Sequence, residues 1–326
     1  MTIVPPSYDV PAGLETDRFR LRPLRTSDAL AHYDALMTSV SHLRGSYYRT
    51  PHWPAQDLSY PDNHVHVAWH DKERDLRRSF AFVVMPADGS GYLGNVYVDP
   101  CDKSGMDAAV TMWVRQSERD TGLDDALYRD VRAWIAADWP FQTVAYPERE
   151  YTFDEWNALP NEAGPFVPPD ATIPEVFGSD RFLLEALSTA HTARDYDAVM
   201  SSVDHLRDCY WNALGWPTDD LSFRQDFIDL SWHTNERTLR RSFAFAVLTV
   251  DSSVQTGCLY IDPCSHPRID ATVTMWVRQS ELDTGLDDAL YRDVRAWIAA
   301  DWPFQTVAYP EREYSFDEWS AIVDQR

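Results

Sequence analysis

Short apolar or alternating stretches recur along the first half of the chain and predict the strands of a sheet. The run Arg18-Phe19-Arg20-Leu21-Arg22-Pro23-Leu24 alternates between polar and apolar residues, as a strand with one buried face does. Further strands are predicted over residues 79–85, 92–98 and 108–114, and a short final strand over residues 143–146.

Apolar residues at helical spacing fill the intervals between these strands. Thr26-Ser27-Asp28 can cap a helix whose apolar positions are Leu30, Tyr33, Leu36 and Met37. A second helix is predicted near residues 63–77, and a long amphipathic helix follows Gly122. The predicted order is β-α-α-β-β-β-α-β, which indicates an α/β fold with a mixed sheet flanked by helices.

The same pattern returns 163 residues later, which is half of the 326-residue chain. The segments 111–156 and 274–319 differ only where Arg119 meets Leu282 and Thr152 meets Ser315. A repeat of this length has the size of one domain. We therefore expect two tandem domains, 1–163 and 164–326, the first with a tail over residues 1–13. The proline-rich segment from about residue 157 to about residue 176 is predicted to be a semi-rigid linker.

Charge and composition exclude several classes of function. The formal net charge is −23, and Lys72 and Lys103 are the only lysines. An acidic surface of this kind repels phosphate backbones and anionic membranes, so neither nucleic acid nor a membrane is an expected partner. The four cysteines form no CxxC motif, and the first residues do not resemble a signal peptide. These features predict a soluble cytoplasmic protein.

The junction between the strand at 108–114 and the helix after Gly122 is the most informative segment for function. Its sequence is Trp113-Val114-Arg115-Gln116-Ser117-Glu118-Arg119-Asp120-Thr121-Gly122-Leu123. A helix N-terminus offers unpaired N–H groups to a pyrophosphate, and glycine allows a ligand to approach the backbone closely.

This junction resembles the acetyl-coenzyme A loop of the GNAT-type N-acetyltransferases, which reads approximately Arg-Gly-x-Gly-hydrophobic after a strand that often ends in Trp-Val. The opening segment Leu14–Ala29 also resembles the first strand and helix of the ribosomal-protein branch of that family. The resemblance implies two tandem GNAT-like domains with mostly antiparallel mixed sheets. It further implies acetyl transfer from acetyl-CoA, used as a co-substrate, to an amine of a small molecule or peptide.

The resemblance also implies which residues would hold the coenzyme in each domain. In the first domain these are Val114, Arg115, Arg119, Asp120, Thr121, Gly122 and Leu123. In the second domain they are Arg278, Thr284 and Gly285. Because Leu282 replaces Arg119, the first domain is expected to be the better coenzyme site.

Acyl transfer needs a base that takes a proton from the attacking amine. Candidate bases near strand ends are Asp99, Asp107 and Glu148, with Asp262, Asp270 and Glu311 as their equivalents. Tyr146 is a candidate proton donor to the departing thiolate, with Tyr309 as its equivalent. For each of these residues the alternative is a solvated turn carboxylate or a core tyrosine.

Two features favour a different hypothesis, in which the tandem has lost acetyl-CoA chemistry and binds a ligand or partner. Asp120 stands where the family loop has its first glycine, and Asp124 and Asp125 follow in the first helical turn. Acidic residues stabilise a helix N-terminus but repel a phosphate there. The chain also leaves the family pattern after Tyr146. Whether the protein is an enzyme therefore stays open, with an N-acyltransferase favoured, and the two repeats could pack as a pseudo-dimer.

The histidines and the paired arginines are expected to have mainly structural roles. His66 and His70 share a helix face, but His64, His66 and His70 are not all repeated in the second domain. No metal site is therefore predicted, and a metal-dependent hydrolase would rest on these residues alone. Arg77-Arg78 and Arg240-Arg241 are expected to pair with the protein's carboxylates, with coenzyme contact as the alternative.

Overall fold

The computed structural model describes residues 2–44, 53–162, 164–209 and 216–323. The chain divides into two compact units, unit 1 (Met1–Gly164) and unit 2 (Pro165–Arg326). Residues 1, 163 and 326, at which the predicted domains begin or end, lie outside the described residues.

Unit 1 contains a six-stranded sheet whose strands follow one another in chain order. All neighbouring strands are antiparallel except the last pair, which is parallel. The predicted mixed, mostly antiparallel sheet is therefore confirmed. The strands are β1 (Leu14–Glu15), β2 (Phe19–Pro23), β3 (Phe80–Pro86), β4 (Gly94–Pro100), β5 (Ala108–Val114) and β6 (Val144–Ala145).

Helices cover both faces of this sheet. They are α1 (Ala29–Met37), α2 (Val40–Leu43), α3 (Tyr60–Asp75), α4 (Leu123–Asp138) and α5 (Phe153–Ala158). A 3₁₀ helix, Gln116–Thr121, joins β5 to α4.

Unit 2 repeats this order with a second six-stranded sheet. Its strands are β7 (Val176–Gly178), β8 (Leu183–Ala186), β9 (Phe243–Leu248), β10 (Gln255–Pro263), β11 (Ala271–Val277) and β12 (Val307–Ala308). Its helices are α6 (Thr192–Met200), α7 (Val203–Asp208), α8 (Phe223–Thr238), α9 (Leu286–Asp301) and α10 (Phe316–Val323).

Alternation along β3 divides the core of unit 1 into two apolar layers. Phe80, Phe82 and Val84 belong to the layer that includes α4, while Ala81 and Val83 belong to the layer that includes α1 and α3. The central strands are buried on both faces, as helices on both sides of a sheet require. In the α4 layer, the ring of Trp134 meets those of Phe82 at 5.3 Å and Trp139 at 5.6 Å, both edge to face.

The predicted apolar stripe of α1 is wrong at its first position. Leu30 is 69% exposed, whereas Ala29, His32, Ala35 and Leu36 are buried. The buried face of α1 therefore includes a histidine. Its ring is accommodated because Nδ1 hydrogen-bonds a side-chain oxygen on α3 rather than water.

Parts of the predicted tail and linker pack onto the units as equivalent segments, residues 3–8 and 166–171, which we call straps. Val4 and Val167 are buried in the cores of units 1 and 2. Each strap is held by one arginine that follows α3 or α8: Arg77 donates to the carbonyls of Pro5 and Tyr8, and Arg240 to those of Pro168 and Ala171. Within the predicted linker, Val167 therefore belongs to the core of unit 2, with Phe166 packed against that core, and residues 157–158 lie in helix α5.

The arginines of the pairs Arg77-Arg78 and Arg240-Arg241 contact groups of their own unit. Arg78 and Arg241 form ion pairs with Glu73 and Glu236, respectively. The expected pairing with carboxylates is therefore confirmed for Arg78 and Arg241 and is wrong for Arg77 and Arg240, which bind the backbone carbonyls of the straps. Within the described residues, no helix combines the length and the apolar character that a membrane crossing requires.

Candidate functional site

The edge of β5 is only partly paired with β6. The parallel register joins Ala108 to Val144 and Ala109 to Ala145. After these two pairs the chain leaves the sheet, so within the described residues the remainder of β5 has no strand on that side. The carbonyl of Val114, at the end of this edge, is 3.0 Å from Nε2 of His42, and the backbone groups before it could pair with an added chain.

A cleft of about 690 Å³ lies beside the open end of β5. Its walls come from α2, β5, the 3₁₀ helix before α4, the first turn of α4, and the segment from the end of β6 into α5. The lining residues are His42, Leu43, Met112, Trp113, Val114, Arg119, Asp124, Glu148, Arg149, Glu150, Tyr151, Thr152, Phe153, Glu155 and Trp156. A cleft of this volume is in the range of ordinary small-molecule sites.

The strand–helix junction next to the cleft is built around Gly122. Its φ of 72° lies in the left-handed region, which glycine adopts without strain. Arg18 fixes the turn by donating to the carbonyls of Thr121 at 2.9 Å and Gly122 at 3.0 Å. The Thr121 hydroxyl accepts from the backbone N–H of Leu123 at 3.2 Å and so satisfies the first N–H of α4.

The predicted coenzyme residues of unit 1 are therefore divided between two environments. Val114 and Arg119 line the cleft, whereas Leu123 is buried in the core. Asp120, Thr121 and Gly122 are exposed at the junction but are not among the cleft-lining residues.

Arg119 and Arg115 differ sharply in their surroundings. Arg119 is exposed in the cleft, and it makes no ion pair or side-chain hydrogen bond within the part of the chain that the structure describes. Arg115 instead reaches α1, where it pairs with Asp34 at 2.9 Å and donates to Thr38 at 3.1 Å. Arg119 is thus the cation that a ligand of the cleft would meet.

The predicted coenzyme residues of unit 2 repeat the structural arrangement. Arg278 pairs with Asp197 at 2.7 Å, and Arg181 donates to the carbonyls of Thr284 and Gly285. Gly285 has a φ of 73°. Leu282, at the position of Arg119, is 41% exposed and offers no charge.

One ion pair at the start of α4 was not predicted. Arg149 donates to both carboxylate oxygens of Asp124, at 2.7 and 2.6 Å. These hydrogen bonds raise the pKa of Arg149, the larger part of the effect coming from the side-chain bond itself. The pair spans 25 residues of sequence and lies in the cleft wall, so the first turn of α4 already holds a charged group.

Glu148 is the predicted base that lies in the cleft. Its φ is 65°, a left-handed conformation that is uncommon for a residue with a side chain. Burial raises the pKa of Glu148 to about 7, while neighbouring Arg149 acts in the opposite direction. Glu311 adopts the same conformation in unit 2, with a φ of 66°. Equivalent residues of the two units thus share this strained conformation, as Arg77 and Arg240 also do, each with a φ of 57°.

The structure does not bring the other predicted bases to this position. Asp107 accepts from the backbone N–H groups of Gln142 at 2.7 Å and Thr143 at 2.8 Å, and thereby fixes the chain before β6. Asp270 makes the equivalent bonds in unit 2. Asp99 is buried on β4, opposite Ala109. Neither Asp99 nor Asp107 is among the cleft-lining residues.

Tyr146 lies in the core rather than in the cleft. Its ring packs against Tyr128 at 5.7 Å, and burial raises its pKa to about 12. The tyrosine that does line the cleft is Tyr151, which packs edge to face on Trp156 at 5.5 Å. Sequence reasoning missed Tyr151 because the chain beyond Tyr146 departs from the family pattern on which the assignment of roles depends.

The histidines of α3 form a packed aromatic cluster. The Nε2 atoms of His66 and His70 are 3.3 Å apart, and the ring of His70 stacks on that of Tyr97 at 4.9 Å. Within the described ranges, no group of three or more His, Cys, Asp or Glu side chains is arranged to hold a metal ion.

The corresponding cleft of unit 2 is smaller, about 270 Å³. Met275, Trp276, Asp287, Glu311 and Arg312 line it at positions equivalent to those in unit 1. Cys209 also contributes to its wall, and burial raises the pKa of that thiol to about 12. A thiol with this pKa is protonated at neutral pH and is a poor nucleophile.

Solved structures similar to this chain are acetyltransferases of the GNAT family, and they align with about 40% of the chain. A ribosomal-protein-S5-alanine acetyltransferase from Vibrio fischeri is 16% identical, with 39% of this chain and 67% of that protein covered and a TM-score of 0.32. A GNAT-family protein from Bordetella pertussis is 17% identical, with coverages of 42% and 78% and a TM-score of 0.33.

A third similar structure is the microcin C7 self-immunity acetyltransferase, solved with acetyl-CoA and AMP. It is 12% identical, with 40% of this chain and 70% of that protein covered and a TM-score of 0.32. No protein-family model matches the chain. No curated protein matches it either.

Proposed function

We propose that unit 1 is an N-acyltransferase that uses acetyl-CoA as acyl donor and the cleft beside β5 as its active site. The observation that carries the proposal is the position of Glu148. This carboxylate lies inside the cleft, next to the part of β5 that no described strand pairs on that side, and burial raises its pKa to about 7. A base that titrates near the working pH is well matched to taking a proton from an amine.

The open edge of β5 and Arg119 support the donor side of the proposal. The pantetheine arm of coenzyme A carries amides, and an amide-bearing chain can hydrogen-bond a free strand edge as an added strand does. Arg119, at the junction before α4, provides a guanidinium for a phosphate. Acetyl-CoA would supply the thioester, which is the activated acyl group.

Glu148 and Tyr151 each carry out one of the two proton transfers of the proposed reaction. Glu148 takes the proton that the amine loses as its nitrogen bonds to the acyl carbon. The carbon–sulfur bond breaks, and the departing thiolate receives a proton from Tyr151. Tyr151 therefore replaces Tyr146 as the proposed donor, because Tyr151 lines the cleft and Tyr146 is in the core.

The charge of the cleft favours a cationic acceptor. In its wall, Asp124 is paired with Arg149, and Glu150 is paired with Arg132. The carboxylates of Glu148 and Glu155 are then opposed by the guanidinium group of Arg119. An excess of negative charge attracts an ammonium group, which releases one proton to solvent before its nitrogen attacks and a second to Glu148 as the carbon–nitrogen bond forms. The proposed acceptor is therefore an amine of a small molecule or of a peptide.

A second function is favoured by the ion pair between Asp124 and Arg149. The carboxylate of Asp124 lies in the first turn of α4 and occupies Arg149 in a bidentate pair. This arrangement stabilises the helix and opposes a phosphate at its N-terminus. In this alternative, the cleft binds a ligand or partner without chemistry.

Release of free coenzyme A thiol from acetyl-CoA, measured with a panel of primary amines, separates the two functions. We expect amine-dependent thiol release by the full chain, and a reduction of about 10²–10⁴-fold in Glu148→Gln, the usual range for loss of a general base. Glu311→Gln is the matched control in unit 2 and should retain most of the rate. Binding of acetyl-CoA without thiol release for any amine would favour the second function.

A further inference from the structure

One buried polar cluster has different chemistry at equivalent positions of the two units. In unit 2, α6, α8 and β10 bring together Asp195, Asp226 and Cys258, all buried, beside the buried side chain of Gln255. The residues 163 positions earlier in unit 1 are His32, Asn63, Asn95 and Tyr92. Two carboxyl groups thus stand where unit 1 has an imidazole and an amide.

Asp195 is the acceptor at the centre of the unit 2 cluster. Its Oδ1 accepts from the side-chain amide of Gln255 and from the thiol of Cys258, whose sulfur is 3.1 Å away. Asp226 on α8 is the equivalent of Asn63, which lies 2.7 Å from the residue equivalent to Asp195, and the charge of Asp195 raises the pKa of Asp226. Asp226 is fully excluded from solvent, and neither of its oxygens accepts a hydrogen bond from another described group. A proton on Asp226 would allow it to donate to Asp195, which would give the buried carboxyl a hydrogen-bond partner.

We propose that Asp195 and Asp226 share one proton across the neutral range, so that unit 2 folds with a bound proton, whereas the same positions of unit 1 exclude one. Two ionised carboxylates in contact inside a protein repel each other, and burial disfavours both charges. One proton removes the repulsion and supplies the missing hydrogen bond. The two units therefore respond to pH in opposite directions.

The groups around Asp195 and Asp226 also favour a bound proton. Burial, followed by the charge of Asp195 and then that of Asp229, raises the pKa of Asp226 well above the carboxyl range. The groups facing Asp195 from β10 are the Cys258 thiol and the Tyr260 hydroxyl, whose pKa values burial also raises. His191, on the turn before α6, faces Glu185 at 3.4 Å. Among the described residues, no Arg, Lys or His donates a hydrogen bond to either carboxyl.

The unit 1 cluster is built from neutral groups. His32 Nδ1 donates to Asn63 Oδ1 at 2.7 Å, and Asn63 Nδ2 donates to the carbonyl of Ala29 at 2.9 Å. The Nε2 atom of His32 is buried without a partner. Burial, and then the nearby His66, lowers the pKa of His32 to about 3, with Asn63 and Asp28 acting weakly in the opposite direction. A proton therefore destabilises this core.

The sign of each response follows from comparing folded and unfolded chains. Folded unit 2 keeps a proton that unfolded Asp226 releases once the pH rises above about 4, so its stability falls as pH rises. Unfolded His32 gains a proton below about pH 6.5, while the folded residue stays neutral until about pH 3. The contribution of His32 to unit 1 is therefore lost as pH falls. Between about pH 4 and 6.5, a rise in pH therefore lowers the contribution of Asp226 to the stability of unit 2 and raises the contribution of His32 to the stability of unit 1.

Infrared difference spectroscopy of the full chain tests the shared proton directly. Spectra of wild type and Asp226→Asn, taken at about pH 8, where Glu148 is ionised, should differ by the carbonyl stretch of one buried protonated carboxyl. Asp226→Asn copies Asn63 of unit 1 and keeps the size of the side chain. Asp180→Asn, an exposed change of the same chemistry in unit 2, should give no such band.

Unfolding of the same variants provides the second measurement. Relative to wild type, Asp226→Asn should raise the folded-to-unfolded ratio of unit 2 by roughly tenfold for each unit of pH from about 5 to 8. His32→Gln in unit 1 should lessen the loss of stability between about pH 6.5 and 5. Hydrogen exchange assigns each change to its unit.

Absence of the protonated-carboxyl band in wild type would overturn the proposal, and that spectrum decides even if Asp226→Asn does not fold. A pH dependence of unit 2 that is equal in Asp226→Asn, Asp180→Asn and wild type would overturn it as well. Neither measurement depends on acetyl-CoA, so the outcome is independent of the function proposed for the cleft.

Discussion

Glu148 unites the geometry and the acidity that a catalytic base requires. It lies in the cleft of unit 1, in a left-handed backbone conformation, and its pKa is raised to about 7 by burial. A raised pKa means that the active, ionised form becomes populated as pH increases through about 7. Below this range Glu148 is protonated, so the proposed base could not accept a proton from the amine.

This pKa gives a prediction for the pH dependence of kcat/KM. We expect kcat/KM of the wild type to rise with pH and to level off above about pH 7 to 8. In Glu148→Gln the residual kcat/KM should not show this rise with pH, whereas in Glu311→Gln the rise should remain. Steady-state thiol-release rates across pH 5.5 to 9, in steps of about half a unit, provide the measurement. If kcat/KM of Glu148→Gln still rises with pH, the ionisation that controls the rate belongs to another group.

Single residues show where sequence reasoning succeeds and where it stops. A carboxylate after a strand end is a plausible base, which is why the sequence predicts Glu148, but its strained φ depends on the turn that the fold imposes. The pair of Asp124 with Arg149 joins residues 25 positions apart, and no local pattern indicates it. The apolar stripe of α1 omits His32 because the burial of this residue depends on Asn63, which lies on another helix.

At the scale of elements, the close approach of β4 to β5 depends on Gly94. A Cβ at this residue would lie 2.0 Å from the carbonyl oxygen of Trp113. Gly257 has the same relation to Trp276 in unit 2. These contacts lie at the point where β5 runs into the junction that borders the cleft, so the strand spacing there affects both stability and the site.

Gly94→Ala should therefore separate the two strands and destabilise unit 1 by about 1–3 kcal/mol, the usual range for overpacking. Urea-induced unfolding measures the change. Gly164→Ala is the control, because a Cβ added to Gly164 would have no atom within 4 Å, and it should leave the midpoint almost unchanged. Equal stability of Gly94→Ala and wild type would show that the strands tolerate the added methyl group.

Elements can be predicted more successfully than their contacts. The strand and helix order follows from hydrophobic periodicity, and the amphipathic α4 lies where its stripe of Leu123, Leu127, Val131, Trp134 and Ile135 predicts. The parallel pairing of β5 with β6, and its end after Ala109, could not be predicted. These features depend on where the chain after α4 returns to the sheet, and the cleft exists because of them.

At the scale of the whole molecule, the straps change the interpretation of the segment between the repeats. A proline-rich sequence predicts an extended spacer, and proline content alone does not reveal that Val167 enters a core. The equivalence of Val4 and Val167 provides the missing signal. Both valines are buried, and Arg77 and Arg240 hold the backbone of the straps to which they belong.

Substitution of Val167 distinguishes a strap from a spacer. Val167→Ala should lower the free energy of unfolding of unit 2 by about 1–3 kcal/mol, since it removes buried methyl groups. Val176→Ala provides the control because Val176 is 56% exposed, and its effect should be within about 0.5 kcal/mol. Chemical denaturation monitored by tryptophan fluorescence measures both variants. Two equal, small effects would restore the linker interpretation.

The central claim of the account is that the cleft of unit 1 binds acetyl-CoA with Arg119 as a contact. Isothermal titration of the full chain with acetyl-CoA tests it most directly, using Arg119→Leu, which copies unit 2, and Leu282→Arg, which copies unit 1. We expect wild type to bind one equivalent, Arg119→Leu to bind about tenfold more weakly because a charge-assisted hydrogen bond is lost, and Leu282→Arg to leave the unit 1 affinity unchanged. Absence of binding heat at millimolar acetyl-CoA, or equal affinity in wild type and Arg119→Leu, would contradict the claim.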